Sequence, residues 1–172
     1  MIKNIFKLFV CSLLVVCASS CAKEEIGGTA VKDMCGEWYV VVDAVDSQGN
    51  VVYEDPFDAG TFTLYTYNTN ANLPTEMYID DDGGFWDFRI TVDVDYAAKT
   101  FSVKDAVDDY NEILVDVANG KIVKDGAVSP AGYTADAISF LIKFEDDDYL
   151  GEVYDALWVH GYRRTGLVGG YD

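Results

Sequence analysis

The stretch WDFRITVDVD, residues 86 to 95, alternates apolar side chains with side chains that are mostly charged. Its apolar positions are Trp86, Phe88, Ile90, Val92 and Val94. Side chains in a β-strand point alternately to its two faces, so a period of two places one set in a core and the other in water. The stretch therefore predicts a half-buried β-strand.

The same period extends outward along the chain. Residues 138–144, ISFLIKF, repeat it, and turn signals separate the runs at residues 47–50, 82–84 and 145–148. The pair Asn119-Gly120 predicts the tip of a hairpin. Residues 104–111 are the best candidate for a short helix.

Several predicted strands are apolar on both faces. In residues 61–67, Phe62 and Leu64 lie on one side while Tyr65 and Tyr67 lie on the other. Both faces then need cover, which a sandwich or a barrel provides. We predict an all-β fold, an antiparallel barrel or sandwich of about eight to ten strands.

The N-terminus has the pattern of an export signal. Lys3 and Lys7 precede an apolar run that is too short to span a bilayer, and small residues lead into Cys21. This is similar to the lipobox of bacterial lipoproteins, in which the cysteine is lipidated and residues 1–20 are removed; an ordinary secretory signal is the alternative. We expect residues 21–34 to form the lipidated cysteine and a tether, and residues 35–172 a single domain.

The residues after Cys21, Ala22-Lys23-Glu24-Glu25, are similar to an acidic signal that sends some lipoproteins to the surface. A solvated linker explains the same charges. We therefore expect a lipid-anchored protein of the outer membrane, facing either the periplasm or the outside of the cell. Two or more acyl chains give stable anchoring, whereas one chain is marginal.

The charge balance excludes one class of partner. The chain has 30 acidic and 12 basic residues, and removal of Lys3 and Lys7 with the signal takes the formal charge from −18 to −20. A phosphate backbone would be repelled, so we expect no nucleic acid partner and no polybasic docking on anionic lipid.

Few residues offer catalytic or metal chemistry. Cys35 is the one thiol left after the signal and the lipidated cysteine, and the single histidine is His160. A nucleophilic cysteine or serine needs a base, and a structural metal needs more soft ligands than these two residues supply. Asp80-Asp81-Asp82-Gly83-Gly84 lacks the ligand spacing of an EF-hand and is best interpreted as a solvated turn. We predict no metal and no cofactor.

The motif Gly36-Glu37-Trp38 resembles the G-x-W of lipocalins and their calycin relatives. In that family the tryptophan closes one barrel end beneath an arginine of the last strand. The resemblance implies a calycin-like or lipocalin-like barrel in which Trp38 and either Arg163 or Arg164 close one end.

More of the chain resembles the bacterial lipoproteins described as lipid-binding putative hydrolases. The resemblance rests on Cys21 and on four motifs, GEWYV at 36–40, TYNT at 66–69, IDD at 79–81 and the pair Phe85-Trp86. It implies a barrel that binds a lipid or another small apolar ligand. It also implies hydrolysis, but the sequence has no G-x-S-x-G and His160 is its one possible base.

Three functions are compatible with these features of the sequence. The first is a non-catalytic barrel whose interior or mouth holds the apolar ligand, lined by Phe62, Leu64, Phe88, Ile90, Phe140 and Trp158. The second is a surface interaction protein that binds a glycan or a partner protein through exposed tyrosines, among them Tyr53, Tyr65, Tyr67, Tyr78 and Tyr110. The third is a hydrolase, which ester hydrolysis that depends on His160 would support.

Overall fold

The computed structural model describes residues 28–166, and this part of the chain folds into nine β-strands without a helix. The strands are β1 (Gly36–Val45), β2 (Val51–Glu54), β3 (Phe62–Tyr67), β4 (Glu76–Asp80), β5 (Arg89–Asp95), β6 (Thr100–Val107), β7 (Leu114–Val128), β8 (Thr134–Phe144) and β9 (Ala156–Arg163). Neighbouring strands pair antiparallel. The predicted all-β fold is confirmed.

Eight strands close into a barrel. β1 and β3 to β9 pair in chain order, and β9 returns to β1 in a ladder that runs from the pair Trp38–Arg163 to the pair Val45–Ala156. Gly161 permits this closure, because a Cβ atom there would overlap the carbonyl oxygen of Tyr39. The predicted antiparallel barrel is confirmed, and the sandwich alternative is not.

The ninth strand, β2, lies outside the closed ring. The first half of β1 pairs with β3, from Gly36–Thr66 to Val40–Phe62, whereas its last residues pair with β2. All four residues of β2 are exposed. β2 therefore extends the wall of the barrel beside the start of β3.

Apolar side chains fill the barrel interior. The inward positions of the alternating strands are 0–7% exposed and belong to one continuous core. The largest of these side chains are Trp38, Leu64, Met77, Ile79, Phe88, Ile90, Ile138, Phe140, Ile142, Phe144 and Leu157. Burial of a Leu, Ile or Phe side chain contributes about 1.5–3 kcal/mol, so this core is the main source of stability.

The two ends of the barrel are here called the Trp38 end and the Trp86 end. The Trp38 end holds residues 28–35 and the connections β3–β4, β5–β6 and β7–β8. The Trp86 end holds the connections β2–β3, β4–β5, β6–β7 and β8–β9.

Two local predictions are wrong. Asn119-Gly120 lies inside β7 rather than at a hairpin tip, where β7 has one more residue than β6 and β8 opposite it, so the pair forms a β-bulge. The helix predicted over residues 104–111 is instead the end of β6 and a turn. Strand pairing on both sides overrides the local preference there.

The segment before β1 packs against the barrel. Residues 30–34 form a turn, and Val31 and Met34 are fully buried against the barrel core. These two apolar side chains lie within the predicted tether of residues 21–34 and cover the Trp38 end; the division of the chain into tether and domain stays a prediction. Cys21 and the predicted signal lie outside the described residues.

Candidate ligand site

The structure brings five of the six predicted ligand residues together inside the barrel. Phe62, Leu64, Phe88, Ile90 and Phe140 are 0–7% exposed and share the one core. They are in contact with other core side chains rather than with open space. A ligand that reached them would have to displace neighbouring side chains, and binding by these five residues stays a prediction.

The structure places the sixth, Trp158, on the outer wall. Its neighbours Leu157 and Val159 point inward and are fully buried, so Trp158 is on the opposite face of β9. Its ring stacks on that of His160 at 3.8 Å between centroids. The sequence has apolar residues on both faces of this strand. The alternation of residue types therefore does not show which face points inward.

His160 pairs with a carboxylate rather than with a nucleophile. Its Nε2 lies 3.0 Å from Oδ2 of Asp43 on the neighbouring strand. Within residues 28–166 no hydrogen bond joins His160 to a serine hydroxyl, and the Cys35 thiol bonds instead to the carbonyl oxygen of Val31 at 3.4 Å. A histidine that activates a nucleophile must reach its proton, directly or through one water.

The Trp38 end is closed by a cation over an indole ring. The guanidinium carbon of Arg163 lies 4.6 Å from the ring centroid of Trp38, which is fully buried. The indole N–H donates to Thr66 Oγ1 at 2.8 Å, and the Thr66 hydroxyl donates to the carbonyl of Met34 at 2.6 Å. Arg164 points elsewhere and pairs with Glu37 at 2.8 Å. Of the two candidate arginines, Arg163 is the one that lies over Trp38.

The Trp86 end is closed by an aromatic cluster. Trp86 stacks on Phe144 with 4.6 Å between ring centroids and 4° between planes, and Phe57 meets both Phe85 and Trp86 at 5.3–5.4 Å. Offset and edge-on aromatic pairs each add about 0.5–1.5 kcal/mol to area burial. The cluster lies between the solvent and the core.

Asp81 holds the loop that carries this cluster. Its carboxylate is 1% exposed and accepts hydrogen bonds from the backbone N–H groups of five residues, at 2.7–3.2 Å. These five residues are Gly83, Phe85, Trp86, Asp87 and Phe88. The loop of residues 82–88 is therefore fixed by one side chain, so Phe85 and Trp86 are placed accurately over the barrel.

Beside the cluster lies an apolar cleft of about 300 Å³, here called the mouth cleft. It is lined by Tyr53, Pro56, Phe57, Tyr149, Val153 and Tyr154. Tyr53, Tyr149 and Val153 are exposed by about half, whereas Tyr154 is buried. Small-molecule sites are clefts of about 300–1,000 Å³ with mostly apolar walls and a few placed polar groups. The mouth cleft lies at the lower end of that range, so it suits an acyl segment or a single ring.

Tyr154 supplies the placed polar group of the mouth cleft. Its hydroxyl donates to Oδ2 of Asp147 at 2.6 Å. Burial, followed by that hydrogen bond, raises the pKa of the phenol well above its ordinary value of 10.0. Tyr154 therefore stays neutral at physiological pH, and its ring forms an uncharged floor for the cleft.

The outer wall formed by β3, β4 and β5 carries a second group of tyrosines. The Asp80 carboxylate accepts from the hydroxyls of Tyr67 at 2.6 Å and Tyr110 at 3.1 Å. The Arg89 guanidinium lies 5.0 Å from the ring of Tyr110 and 5.5 Å from that of Tyr78. Tyr65 pairs across the strands with Asp80, so four of the five tyrosines predicted to be exposed share this wall. Tyr53 lies apart, at the mouth cleft.

The described residues hold neither a group of metal ligands nor a helix that could cross a membrane. Between residues 28 and 166 no three His, Cys, Asp or Glu side chains are grouped so that they could hold a metal ion. The same range contains no helix with the length and hydropathy that crossing a membrane requires.

The sequence analysis missed the mouth cleft and the role of Asp81. The cleft residues come from β2 and from the connections β2–β3 and β8–β9, which are distant in sequence. The one available signal was the exposed apolar set around Val51 to Tyr53 and Tyr149 to Val153.

Comparison with known proteins agrees with the resemblance seen in the sequence. A family model described as "lipid-binding putative hydrolase" matches residues 23–168, which is most of the chain. No curated protein matches the chain.

Proposed function

This chain belongs to the lipid-binding putative hydrolase family, and we propose that it is a non-catalytic binding protein that holds a lipid or another small apolar ligand in the mouth cleft. The observation that carries the proposal is an exposed apolar cleft, walled by three tyrosines, at one end of a closed barrel. Exposed apolar clefts of this kind mark ligand sites in soluble domains.

The barrel interior supplies a second compartment for a longer ligand. Phe57 lines the mouth cleft and also contacts Phe85 and Trp86, behind which lie Phe62 and Phe88. Displacement of the Phe57, Phe85 and Trp86 rings, with the backbone of the loop still held by Asp81, would join the cleft to the core. In this proposal the predicted interior residues receive the chain end of the ligand, and Trp158 on the outer wall has no part in binding it.

We also propose that the protein is anchored at the outer membrane through acylated Cys21. Residue 28 lies at the Trp38 end, seven residues after that cysteine. The mouth cleft lies at the opposite end of the barrel. An anchored barrel would therefore direct the mouth cleft away from the lipid surface, toward ligands in solution.

A fluorescent fatty acid analogue tests the proposed site. Residues 22–172, which contain every described strand and the whole core, are purified without detergent and titrated with the probe. We expect one saturable binding step at micromolar concentrations. Val153→Asp should weaken it by about tenfold or more, because a charge beside an apolar ligand costs more than 1.4 kcal/mol.

A matched control is available at the other end of the barrel. Val128 is exposed like Val153, at 67% against 45%, but does not line the mouth cleft. Val128→Asp should leave the affinity of the wild-type protein unchanged. No saturable uptake at tens of micromolar, or equal affinities of Val153→Asp and wild type, would contradict the proposal.

The tyrosine wall favours a second candidate function, binding of a glycan or partner protein. Aromatic rings beside a carboxylate and a guanidinium offer both stacking and hydrogen bonding to a sugar. On a glycan array, binding lost in Tyr110→Ala and retained in Val153→Asp would favour the wall. The reverse pattern with the fatty acid probe would favour the mouth cleft.

The third function, hydrolysis, is tested with the same protein. The pairing of His160 with Asp43, rather than with a nucleophile, supports a non-catalytic role. Turnover of short-chain nitrophenyl esters that His160→Ala abolishes would overturn that part of the proposal.

A further inference from the structure

A cleft of about 430 Å³ at the Trp38 end is rich in cations. It is lined by Lys32, Asp33, Lys99, Ile122, Lys124, Asp136 and Arg163 and is here called the basic cleft. Four of the nine lysine and arginine residues between 28 and 166 therefore meet in one cleft. The chain as a whole has a formal charge of −18, so this concentration of positive charge runs against its composition.

The two carboxylates of the basic cleft neutralise only part of its positive charge. Asp33 accepts from the Tyr96 hydroxyl at 2.7 Å and from Lys99 Nζ at 3.3 Å. Asp136 lies 3.3 Å from Nε of Arg163. Lys32 and Lys124 have no ion pair within the described residues. Two exposed ammonium groups thus line the cleft without an ion pair to a carboxylate.

Arg163 adds a fixed guanidinium with unused donors. A guanidinium has five N–H donors. Within residues 28–166 Arg163 uses one in a hydrogen bond, from Nη2 to the carbonyl of Asp33 at 2.9 Å. Its Nε is buried and lacks a hydrogen-bond acceptor, because the nearby Asp136 oxygen is close enough for an ion pair but poorly aligned. The Trp38 ring beneath it fixes the plane of the group.

We propose that the basic cleft binds a phosphate-bearing anion. A guanidinium with free donors, flanked by lysines on flexible stems, is the donor set that proteins use for phosphate. The phosphate can belong to a soluble phosphomonoester or to a lipid headgroup. Residue 28 lies at the same end, so an anchor at Cys21 would bring lipid phosphates within reach of the cleft. The proposal does not depend on ligand binding in the mouth cleft.

Inorganic phosphate is the first probe. Residues 22–172 labelled with ¹⁵N are titrated with sodium phosphate, and sodium chloride at matched ionic strength is the reference. We expect saturable shifts of the backbone amides of residues 32, 33, 99 and 124 with phosphate only. Lys32→Gln combined with Lys124→Gln should weaken binding by about twenty-five-fold, since each lysine near a phosphate surface contributes roughly a factor of five.

The control variant removes the same charge elsewhere. Lys104 and Lys143 lie outside the basic cleft, so Lys104→Gln combined with Lys143→Gln should bind phosphate like the wild type. Lys32 and Lys124 are exposed, and circular dichroism should show that both double variants keep the wild-type fold.

Vesicles identify the source of the phosphate. Phosphatidylcholine vesicles with and without phosphatidic acid are sedimented with the wild type and with both double variants. Co-sedimentation that requires phosphatidic acid, Lys32 and Lys124 assigns the cleft to a lipid headgroup, whereas binding of free phosphate alone assigns it to a soluble phosphomonoester. Equal phosphate affinity of the wild type and the Lys32/Lys124 variant, or no phosphate shifts beyond those with chloride, would overturn the proposal.

Discussion

Asp81 shows how one buried carboxylate fixes a loop. Five backbone N–H groups converge on its two oxygens, and the loop that they form carries Phe85 and Trp86 over the barrel end. Sequence reasoning predicted a turn here but assigned its aspartates to solvent. The sequence alone does not distinguish Asp80, Asp81 and Asp82. Only the tertiary structure shows that Asp81 is buried while Asp82 is exposed.

Asp81→Asn tests this role. An amide has one acceptor oxygen in place of two and carries no charge, and hydrogen bonds to a charged group contribute about 1.5–3 kcal/mol each. We expect the free energy of unfolding to fall by about 3 kcal/mol or more, measured by urea denaturation.

The neighbouring Asp82→Asn is the control. Asp82 has a positive φ of 47°, which asparagine tolerates, and its side chain is exposed. Its effect should stay within about 0.5 kcal/mol. Equal losses in the two variants would show that charge in the turn matters and that the buried carboxylate does not.

Among the strands, the bulge in β7 explains why the hairpin predicted from the pair Asn119-Gly120 is wrong. Asn119 has a positive φ of 56°, as a hairpin tip would require, and the same conformation serves a bulge inside a strand. Gly120 follows because a Cβ there would overlap the ring of Phe101. The identity of the partner strands, which the sequence alone does not supply, decides between the two structures.

Gly120→Ala tests the packing at the bulge. The added methyl group would also lie 2.5 Å from the carbonyl oxygen of Phe101, so backbone or ring must shift. We expect a loss of about 2–3 kcal/mol in the free energy of unfolding, the usual range for overpacking. Asn119→Gly keeps the positive φ and should cost less than about 1 kcal/mol. A tolerated Gly120→Ala would show that the bulge can relax.

At two further shifts in the pairing register, an aspartate side chain accepts a hydrogen bond from a backbone N–H. Asp105 and Asp125 both have a positive φ, and the N–H of each donates to an aspartate eleven residues later, Asp116 at 2.7 Å and Asp136 at 3.0 Å. Both lie where the pairing register shifts. Part of the acidic composition thus satisfies backbone groups that the sheet leaves unpaired.

At the scale of the whole molecule, hydrophobic period and family resemblance predicted the class of fold well. Alternation identified the strands around Phe88 and Phe140, and the G-x-W motif directed attention to the end that Trp38 and Arg163 occupy. The mouth cleft and the basic cleft could not be predicted from the sequence. Each cleft is formed by residues from three or more segments of the chain. Neither the hydrophobic period nor the net charge shows which of these segments lie side by side in the fold.

Alkaline pH should destabilise the whole barrel through the buried phenol of Tyr154 and the half-buried phenol of Tyr67. Burial and a hydrogen bond to Asp147 raise the pKa of Tyr154 in the folded state, and burial with Asp80 does so for Tyr67. The unfolded chain then loses these protons first, near pH 10, so this stability is complete below pH 10 and is lost as the pH rises toward the folded pKa values.

Tyr154→Phe tests the linkage. Above pH 10 the free energy of unfolding should fall less steeply in this variant, by up to about 1.4 kcal/mol per pH unit. Urea denaturation between pH 8 and 11.5 measures the two slopes. The exposed Tyr53→Phe is the control and should follow the wild type. Parallel slopes for Tyr154→Phe and wild type would contradict the linkage.

The ladder between β1 and β9 has a consequence for the order of events in folding. The first strand of the barrel pairs along one edge with β2 and β3, but its other edge finds a partner only in the last strand, more than 110 residues later, from Trp38–Arg163 to Val45–Ala156. A nascent chain therefore cannot close its barrel until the residues through Arg163 have left the ribosome. Because such distant pairings slow folding, we expect refolding in milliseconds to seconds rather than microseconds.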